Sequence, residues 1–347
     1  MDRQEALKNI DITRFLMAIF VVCLHTNPLW DISFLLNSAI VFWLARLAVP
    51  FFFICTGFFL EYKEPYDEET KRFRGKTQII RLLKLYCFWN IIYIFIAFVT
   101  KSTGFVFSYK ELFVELVIRG GVSILWYVHG AILALVIINM LEKLRIPPVG
   151  ILSIAFLFYF IGLAGQSYYN IFRKFPIWDN SFVHYIGVSF LSVLGVGGTR
   201  HGLFFAFPFV YLGMEIYRHR DSINLKQSVI IFLISMVVGF FEAITTLELH
   251  LGIRWDLMIF IVPASYSLFC VLLKIPIDIK IDTHVFRTLS HDIYFIHGAL
   301  IMLYTYFNLY FHSILYFGTI LFVAIAISVL KSVIINFFKE IVNKNVR

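Results

Sequence analysis

Charged residues are scarce in this sequence of 347 residues. Asp, Glu, Lys and Arg together make up 15% of the chain, whereas soluble domains carry about 25%. The apolar residue types make up 60%, and 18% of all residues are aromatic. Because a soluble globule of this length cannot bury so much apolar surface, the composition excludes a water-soluble protein and predicts one that lies in a lipid bilayer.

Cysteine is also scarce, with four residues in the chain. All four lie in apolar stretches, and no two of them have the CxxC or Cys/His spacing of a zinc or redox site. We interpret them as small hydrophobic core residues, and no metal site is predicted. The four are Cys23, Cys55, Cys87 and Cys270.

The basic residues do not indicate binding to nucleic acid. Lys and Arg number 30 against 22 for Asp and Glu, which gives a formal net charge of +8. In a membrane protein such an excess usually lies in the cytoplasmic loops. With the N-terminus placed inside, most Lys and Arg residues do fall in inner loops, so both termini are predicted to be cytoplasmic.

Apolar windows long enough to cross a bilayer recur along the whole chain. We predict an all-α fold, a polytopic integral membrane bundle of about ten transmembrane helices that forms one domain over 1–347. The short, glycine-broken stretch 183–196 is left open between a re-entrant segment and an outer lid. The ten predicted windows are 12–30, 38–60, 83–100, 123–142, 150–165, 203–217, 227–243, 256–273, 290–308 and 314–338.

The first window carries two ionisable residues, Arg14 and His25. Three helical turns separate them, so they share one face about 16 Å apart, with Arg14 near the inner boundary and His25 in the outer half. A charge at the centre of a membrane helix costs about 2.5–3.5 kcal/mol, so such residues need a partner or a function. A snorkelling Arg14 and a hydrogen-bonded core His25 are the structural alternative.

Other windows carry polar residues at helical spacing. Trp126 and His129 share a face near the outer start of the fourth window, and Ser290, Tyr294 and His297 line one face of the ninth. The structural alternatives are an aromatic belt with a capping histidine and an interhelical hydrogen-bond seam.

The predicted depth in the bilayer divides the polar groups into two clusters, one near the inner boundary and one in the outer half. The inner cluster is basic and fits an anion, because guanidinium groups bind phosphates bidentately. The outer cluster contains histidines, which act as general bases near neutral pH. The inner cluster comprises Arg14, Arg72, Arg74, Arg81 and Lys84, and the outer one comprises His25, Asn27, His129, Arg200, His201 and Glu242.

Six blocks carry a resemblance to a known family: Asp11–His25, Val49–Leu60, Arg72–Arg81, Leu125–Tyr127, Thr199–Phe205 and Leu289–His297. Their order resembles the acyltransferase-3 family of membrane proteins, in the branch that also supplies the membrane domain of membrane-bound serine racemases. That family has an Arg and a His separated by ten residues on its first helix. Two positions depart from the pattern: Thr56 stands where Ser is usual before Gly, and the basic pair is Arg72-x-Arg74 instead of Arg-x-x-Arg.

The resemblance implies transfer of an acyl group from cytoplasmic acyl-CoA, commonly acetyl-CoA, to a hydroxyl of a cell-envelope polysaccharide or a lipid-linked sugar. It also implies a bacterial cytoplasmic membrane, with membrane lipids as the surroundings and acyl-CoA as a co-substrate. The acceptor, the acyl chain length and the oligomeric state, including a homo-oligomer, are left open.

The residues fit roles in that reaction. Arg14 binds the CoA phosphates, helped by the arginines of the following inner loop and helix, Arg72, Arg74 and Arg81. His25 acts as general base on the acceptor hydroxyl, a role that we favour over that of a transient acyl carrier. Arg200, or a backbone N–H near Gly202, stabilises the tetrahedral oxyanion. Glu242 orients His25 or neutralises Arg46 or Arg200. The predicted substrate-binding residues are Asn27, Trp126, Tyr127, His129, His201, Tyr294 and His297.

A transporter of a small polar solute such as serine is the alternative function. Buried charges, Pro50 in mid-window and a glycine-broken segment also suit a carrier. A carrier built from duplicated halves would show corresponding broken helices in both halves, and the sequence has no such symmetry. A non-catalytic membrane partner of an envelope-assembly machine is a third hypothesis.

Overall fold

A computed structural model describes residues 3–65, 73–101, 108–181, 185, 187, 198–200, 202–275, 282–309 and 312–345. Within these ranges every regular element is a helix and no β-strand occurs, which confirms the all-α prediction. The α-helices are α1 (Arg3–Thr26), α2 (Phe34–Phe42), α3 (Ala48–Lys63), α4 (Lys76–Val99), α5 (Tyr109–Phe113), α6 (Trp126–Lys143), α7 (Pro148–Ala164), α8 (Tyr169–Phe172), α9 (Phe207–Arg218), α10 (Leu225–Glu248), α11 (Ile261–Lys274), α12 (His284–Tyr306) and α13 (Ser313–Asn345).

Short 3₁₀-helical and π-helical segments adjoin several of these α-helices. The 3₁₀ segments are Leu44–Leu47, Ser123–Leu125, Pro176–Asp179 and Arg220–Ser222, and the π-helical segments are Val114–Ile118 and Gly202–Ala206. The second π-helical segment leads directly into α9, and such segments recur at functional sites.

The contacts group the chain into two compact units. The terminal unit comprises Met1–Ala48 and Pro276–Arg347, and the central unit comprises Val49–Ile275. The terminal unit contains α1, α2, α12 and α13, while α3 to α11 belong to the central unit. The sequence prediction of one domain over 1–347 stays a prediction.

In the terminal unit, α1 packs against α2, α12 and α13. Its buried positions include the small residues Ala18 and Val22. The helix ends where Asn27 adopts a positive φ of 49° and Pro28 follows, because a left-handed residue and a proline both stop a helix. This stop places His25 in the last turn of α1.

Asp31, in the loop after α1, holds the start of α13. Its carboxylate accepts hydrogen bonds from the Ser313 backbone N–H at 2.9 Å and from the Ser313 hydroxyl, and His312 Nδ1 lies 3.0 Å away. The hydrogen bond from the Ser313 side chain is the largest cause that lowers the pKa of Asp31 to about 2. An anion at this position also satisfies N–H groups that have no partner within the helix.

In the central unit, α3 and α9 cross at two glycines. A Cβ atom at Gly57 would lie 1.7 Å from the Val210 carbonyl oxygen, and one at Gly213 would lie 2.1 Å from the Ile54 carbonyl oxygen. Only glycine permits this approach of the two backbones, as in other close helix pairs of membrane proteins. The Thr56–Gly57 motif therefore has a packing role here.

Among the residues that the structure describes, five helical stretches are long and apolar enough to cross a membrane: Phe34–Lys63, Lys76–Val99, Trp126–Lys143, Leu225–Glu248 and Ser313–Lys339. Two shorter apolar helices are Pro148–Ala164 and Ile261–Lys274. The chain is an integral membrane protein, but the count of ten spans stays a prediction. Of the stretch 183–196, all but residues 185 and 187 lies outside the described residues.

Candidate functional site

His25 lies in the terminal unit beside the polar row of α12. Its side chain is exposed, and its ring centroid lies 5.3 Å from that of His297, with the rings tilted by 41°. Tyr294 lies one turn earlier on α12, with its ring centroid 6.1 Å from that of His297. The structure thus brings together three of the predicted site residues, His25, Tyr294 and His297.

His297 is fully buried, with 0% of its surface exposed. Its Nδ1 lies 2.9 Å from the carbonyl oxygen of Ile293, one helical turn back. The other ring nitrogen, Nε2, is buried and has no hydrogen-bond partner. A buried polar atom without a partner is unusual in a folded protein and calls for an explanation.

Arg14 lies at the other end of the polar stripe of α1. Its Nη1 is 3.3 Å from Asp11, and the Nη2 of Arg287 on α12 is 3.2 Å from the other oxygen of Asp11. The arginines are 18% and 53% exposed, whereas the Asp11 side chain is 6% exposed. Two guanidinium groups therefore flank one buried carboxylate.

Arg287 is a candidate binding residue that the sequence reasoning missed. Its charge fits the excess of Lys and Arg in the inner loops, but it also extends the row of Ser290, Tyr294 and His297 by one position on the same helical face. This helical spacing is the signal in the sequence that places Arg287 on the same face as the three polar residues. What the sequence alone does not contain is the partner, because Asp11 lies on α1, at the opposite end of the chain.

In the central unit, Trp126 begins α6 and lies between several aromatic and basic groups. The guanidinium carbon of Arg200 is 4.6 Å from the centroid of the indole, and Phe205 stacks on it with a centroid distance of 6.0 Å and an angle of 11°. The Nε of Arg200 is buried without a hydrogen-bond partner. The structure therefore joins Trp126 and Arg200, as a cation–π pair.

Tyr127 and His129 form hydrogen bonds with backbone carbonyl groups of neighbouring segments. The Tyr127 hydroxyl donates to the carbonyl of Phe52 at 3.3 Å, and His129 Nε2 lies 3.0 Å from the Val117 carbonyl. Because a carbonyl oxygen only accepts, the Tyr127 hydroxyl and the Nε2 of His129 are the donors in these bonds. Both residues keep an anchoring role in addition to the predicted substrate contact.

Asn27 and His201 complete the predicted outer cluster. Asn27 forms the end of α1, and its side-chain oxygen accepts a hydrogen bond from the Asn37 amide at 3.3 Å. It therefore has a structural partner within the terminal unit. His201 lies outside the described residues.

Glu242 has different partners from those that the sequence suggested. Its carboxylate accepts from the Tyr168 hydroxyl at 2.5 Å and from the backbone N–H groups of Ile259 and Phe260 at 2.6 and 2.9 Å. These N–H groups lie just before α11, where an anion is stabilising. Burial raises the pKa of Tyr168 well above its ordinary value, so the phenol stays a donor. The structure thus shows Glu242 capping α11, and its role as a catalytic residue stays a prediction.

Arg74, another predicted donor-binding residue, pairs with acidic residues inside the central unit. Its side chain is 4% exposed, Nη1 lies 2.7 Å from Glu61, and Nη2 and Nε both bind Glu142. The Nη2 of Arg218 lies 3.1 Å from the same Glu61 carboxylate. The guanidinium of Arg74 therefore already donates to two buried carboxylates, and its binding to the CoA phosphates stays a prediction.

Of the two remaining arginines that are predicted to bind the acyl donor, the structure describes one. Arg81 is exposed on α4 and makes no hydrogen bond or ion pair with the described residues. Arg72 lies outside the described residues. Across the part of the chain that the structure describes, no three His, Cys, Asp or Glu side chains stand close enough together to hold a metal ion.

Comparisons with known proteins bear on these residues. The acyltransferase-3 family model, described as an acyltransferase domain, matches residues 7–333. An amino-acid racemase of Enterococcus faecalis is 25% identical over 300 residues, which cover 85% of this chain and 41% of the racemase. A serine/alanine racemase of Enterococcus gallinarum is 28% identical over 238 residues, which cover 66% and 32%. The chain thus spans 41% or less of these two relatives. No solved structure matches it.

Proposed function

Because the chain belongs to the acyltransferase-3 family, we propose that it is a membrane O-acyltransferase. The acyl group comes from cytoplasmic acyl-CoA, commonly acetyl-CoA, and goes to a hydroxyl of a cell-envelope polysaccharide or a lipid-linked sugar. The observation that carries the proposal is the family match over 7–333, which includes α1 with its exposed His25 three turns from Arg14.

The proposal includes a topology of ten spans with both termini on the cytoplasmic side. The excess of Lys and Arg in the inner loops supports this orientation. It puts Arg14 near the cytoplasmic face and His25 in the outer half of the bilayer. The membrane is then a bacterial cytoplasmic membrane, in which an acyl donor made inside the cell meets an acceptor on the outside.

The donor end of this proposal consists of Arg14 and Arg287 in the terminal unit. The role of Arg81, an exposed residue of the central unit, stays a prediction from the sequence. Arginine binds phosphate through two parallel hydrogen bonds, and two arginines on one carboxylate are already oriented towards a common point. The pair at Asp11 supports a site for the phosphates of CoA. A pantetheine arm has about the length of the stripe that leads from Arg14 to His25.

The chemistry at the other end is a single acyl transfer. The neutral imidazole of His25 takes the proton of the acceptor hydroxyl as the oxygen attacks the thioester carbonyl. The tetrahedral intermediate then collapses, the C–S bond breaks, and the CoA thiolate takes the proton back from the imidazolium. In the central unit, Trp126 has an aromatic face suited to a sugar ring and Arg200 a charge suited to an oxyanion, and their parts in this transfer stay predictions from the sequence.

The proposal is tested with purified protein in liposomes, supplied with radiolabelled acetyl-CoA and an envelope polysaccharide. We expect label on the polysaccharide, and His25→Ala should lower this transfer at least about 100-fold, the smallest contribution usual for a general base. The matched control is His219→Ala, since His219 is 68% exposed at the end of α9 and should retain full transfer.

A second candidate is the movement of a small polar solute such as serine across the membrane. Both relatives are named as racemases of amino acids. The same liposomes distinguish the two functions. Serine flux without transfer of label contradicts the acyltransferase, and full transfer by His25→Ala contradicts His25 as the base.

A further inference from the structure

We infer that His297 positions the imidazole of His25 by accepting a hydrogen bond from its ring N–H at Nε2. The inference rests on the proposed function only for its kinetic consequence, since the contact is a property of the terminal unit alone. His297 was predicted as a substrate contact, and this role makes it a positioning residue.

The first step is the protonation pattern of His297. Its Nδ1 lies 2.9 Å from the Ile293 carbonyl oxygen, and because a carbonyl oxygen only accepts, Nδ1 must carry the proton. A neutral imidazole has one donor and one acceptor nitrogen. Nε2 of His297 is therefore an acceptor, held in a fixed direction by the backbone of α12.

The second step is that this acceptor is unsatisfied. Nε2 is buried and has no hydrogen-bond partner, in a residue of which 0% of the surface is exposed. Leaving a buried acceptor without a donor is costly, because the group has lost its hydrogen bonds to water. A donor that can reach it would stabilise the folded protein.

The third step is the identity of the donor. The ring centroid of His25 lies 5.3 Å from that of His297, and two imidazoles joined by an N–H···N hydrogen bond have their centroids about 5 Å apart. Rotation of the His25 ring about its Cβ–Cγ bond, a torsion with broad minima, brings a ring N–H towards Nε2. Since α1 and α12 pack together, the two rings stay within this reach.

The arrangement explains how His25 acts as a base. When one nitrogen of His25 accepts the proton of a hydroxyl, the other already carries the N–H that His297 accepts. The imidazolium is thereby stabilised and kept in one orientation, as the third group does in a catalytic triad. His297 itself gains and loses no proton. The sequence reasoning sought this third group in Glu242, which caps α11 instead.

The test uses ¹⁵N-histidine-labelled full-length protein in lipid bilayers, at an alkaline pH where imidazoles are neutral. The resonance of His25, identified by its loss in His25→Ala, should show a single tautomer and a ¹⁵N–¹⁵N correlation to a second imidazole. In His297→Leu the tautomers should mix. In His297→Gln, whose side-chain oxygen replaces the acceptor, a single tautomer should return.

Ser290→Ala is the matched control, because Ser290 is a buried polar residue of the same helix that donates to the Arg287 carbonyl. It should leave the His25 tautomer unchanged. In acyl transfer, His297→Leu should lower kcat about 10- to 100-fold with an unchanged KM for acetyl-CoA, and His297→Gln should restore most of it.

A His25 tautomer that is the same in wild type and His297→Leu overturns the inference. If the variants do not fold, the wild-type protein alone decides, since absence of the imidazole–imidazole correlation also overturns it. A tautomer that depends on residue 297 in a protein without acyl transfer supports the positioning and contradicts the proposed function, so the two failures are distinguishable.

Discussion

At the scale of single residues, two arginines that we propose to bind the acyl donor share the carboxylate of Asp11. Its buried carboxylate holds Arg14 on its own helix and Arg287 on α12. A phosphate group carries more negative charge than one carboxylate and fits the guanidinium fork at least as well. A bound phosphate is therefore expected to engage Arg287, the more exposed of the two arginines, while Asp11 keeps Arg14 oriented.

Replacement of Arg287 by alanine tests this arrangement. We expect Arg287→Ala to raise the KM for acetyl-CoA about tenfold, the effect of losing one charge-assisted hydrogen bond, with little change in kcat. Steady-state kinetics in liposomes give both values. Arg220→Ala, which removes an arginine from the segment after α9, should leave KM as in wild type, and an unchanged KM in Arg287→Ala contradicts the donor site.

Some side-chain contacts follow from the sequence and others do not, for one physical reason. The face shared by Tyr294 and His297 follows from helical periodicity, which the sequence contains. The partners of Arg74 and Glu242 do not, because a carboxylate that binds backbone N–H groups leaves no pattern of residue types. A buried arginine and a phosphate-binding arginine look alike until their neighbours are known.

At the scale of elements, the crossing of α3 and α9 depends on two glycines. Gly57→Ala should lower the free energy of unfolding by about 1–3 kcal/mol, the cost of overpacking a close contact. Thermal unfolding in detergent measures it. Gly318→Ala on α13 is the control, since a Cβ there meets no atom within 4 Å. Equal unfolding temperatures for the two variants contradict the close approach.

A second contact between elements, from Asp31 to the start of α13, should make the stability of the folded protein depend on pH. Because hydrogen bonds from Ser313 lower the pKa of Asp31 to about 2, the ionised carboxylate is stabilised in the folded state. This contribution is fully present above the ordinary carboxyl pKa of about 4 and is lost as the pH falls through about 2.

Asp31→Asn should therefore unfold at a lower temperature than wild type at pH 7, and the difference should shrink between about pH 4 and pH 2. Unfolding curves in detergent across this range provide the measurement. Asp221→Asn is the control, because Asp221 is 89% exposed and should show no such trend. A difference that stays constant down to pH 2 contradicts the role of the Asp31 carboxylate.

At the scale of the whole molecule, composition predicted the membrane and the helices, but not how the helices group. The terminal unit joins the first 48 residues to the last segment of the chain, and no local pattern announces that α1 packs on α12. The length of an apolar window also fails to predict where some helices begin and end. Within the described residues, α9 has 12 residues because the wider π-helical segment Gly202–Ala206 precedes it, so the window 203–217 is not one regular helix.

The ion-pair cluster around Arg74 constrains how the protein is made. Glu61 and Arg218, which bind each other, are 157 residues apart, so Glu61 leaves the ribosome long before its second counterion exists. After α6 follows, Arg74 alone faces the two carboxylates of Glu61 and Glu142. An uncompensated buried charge is strongly destabilising. A nascent chain that stops before α9 therefore lacks the second arginine, and we expect membrane proteases to degrade it.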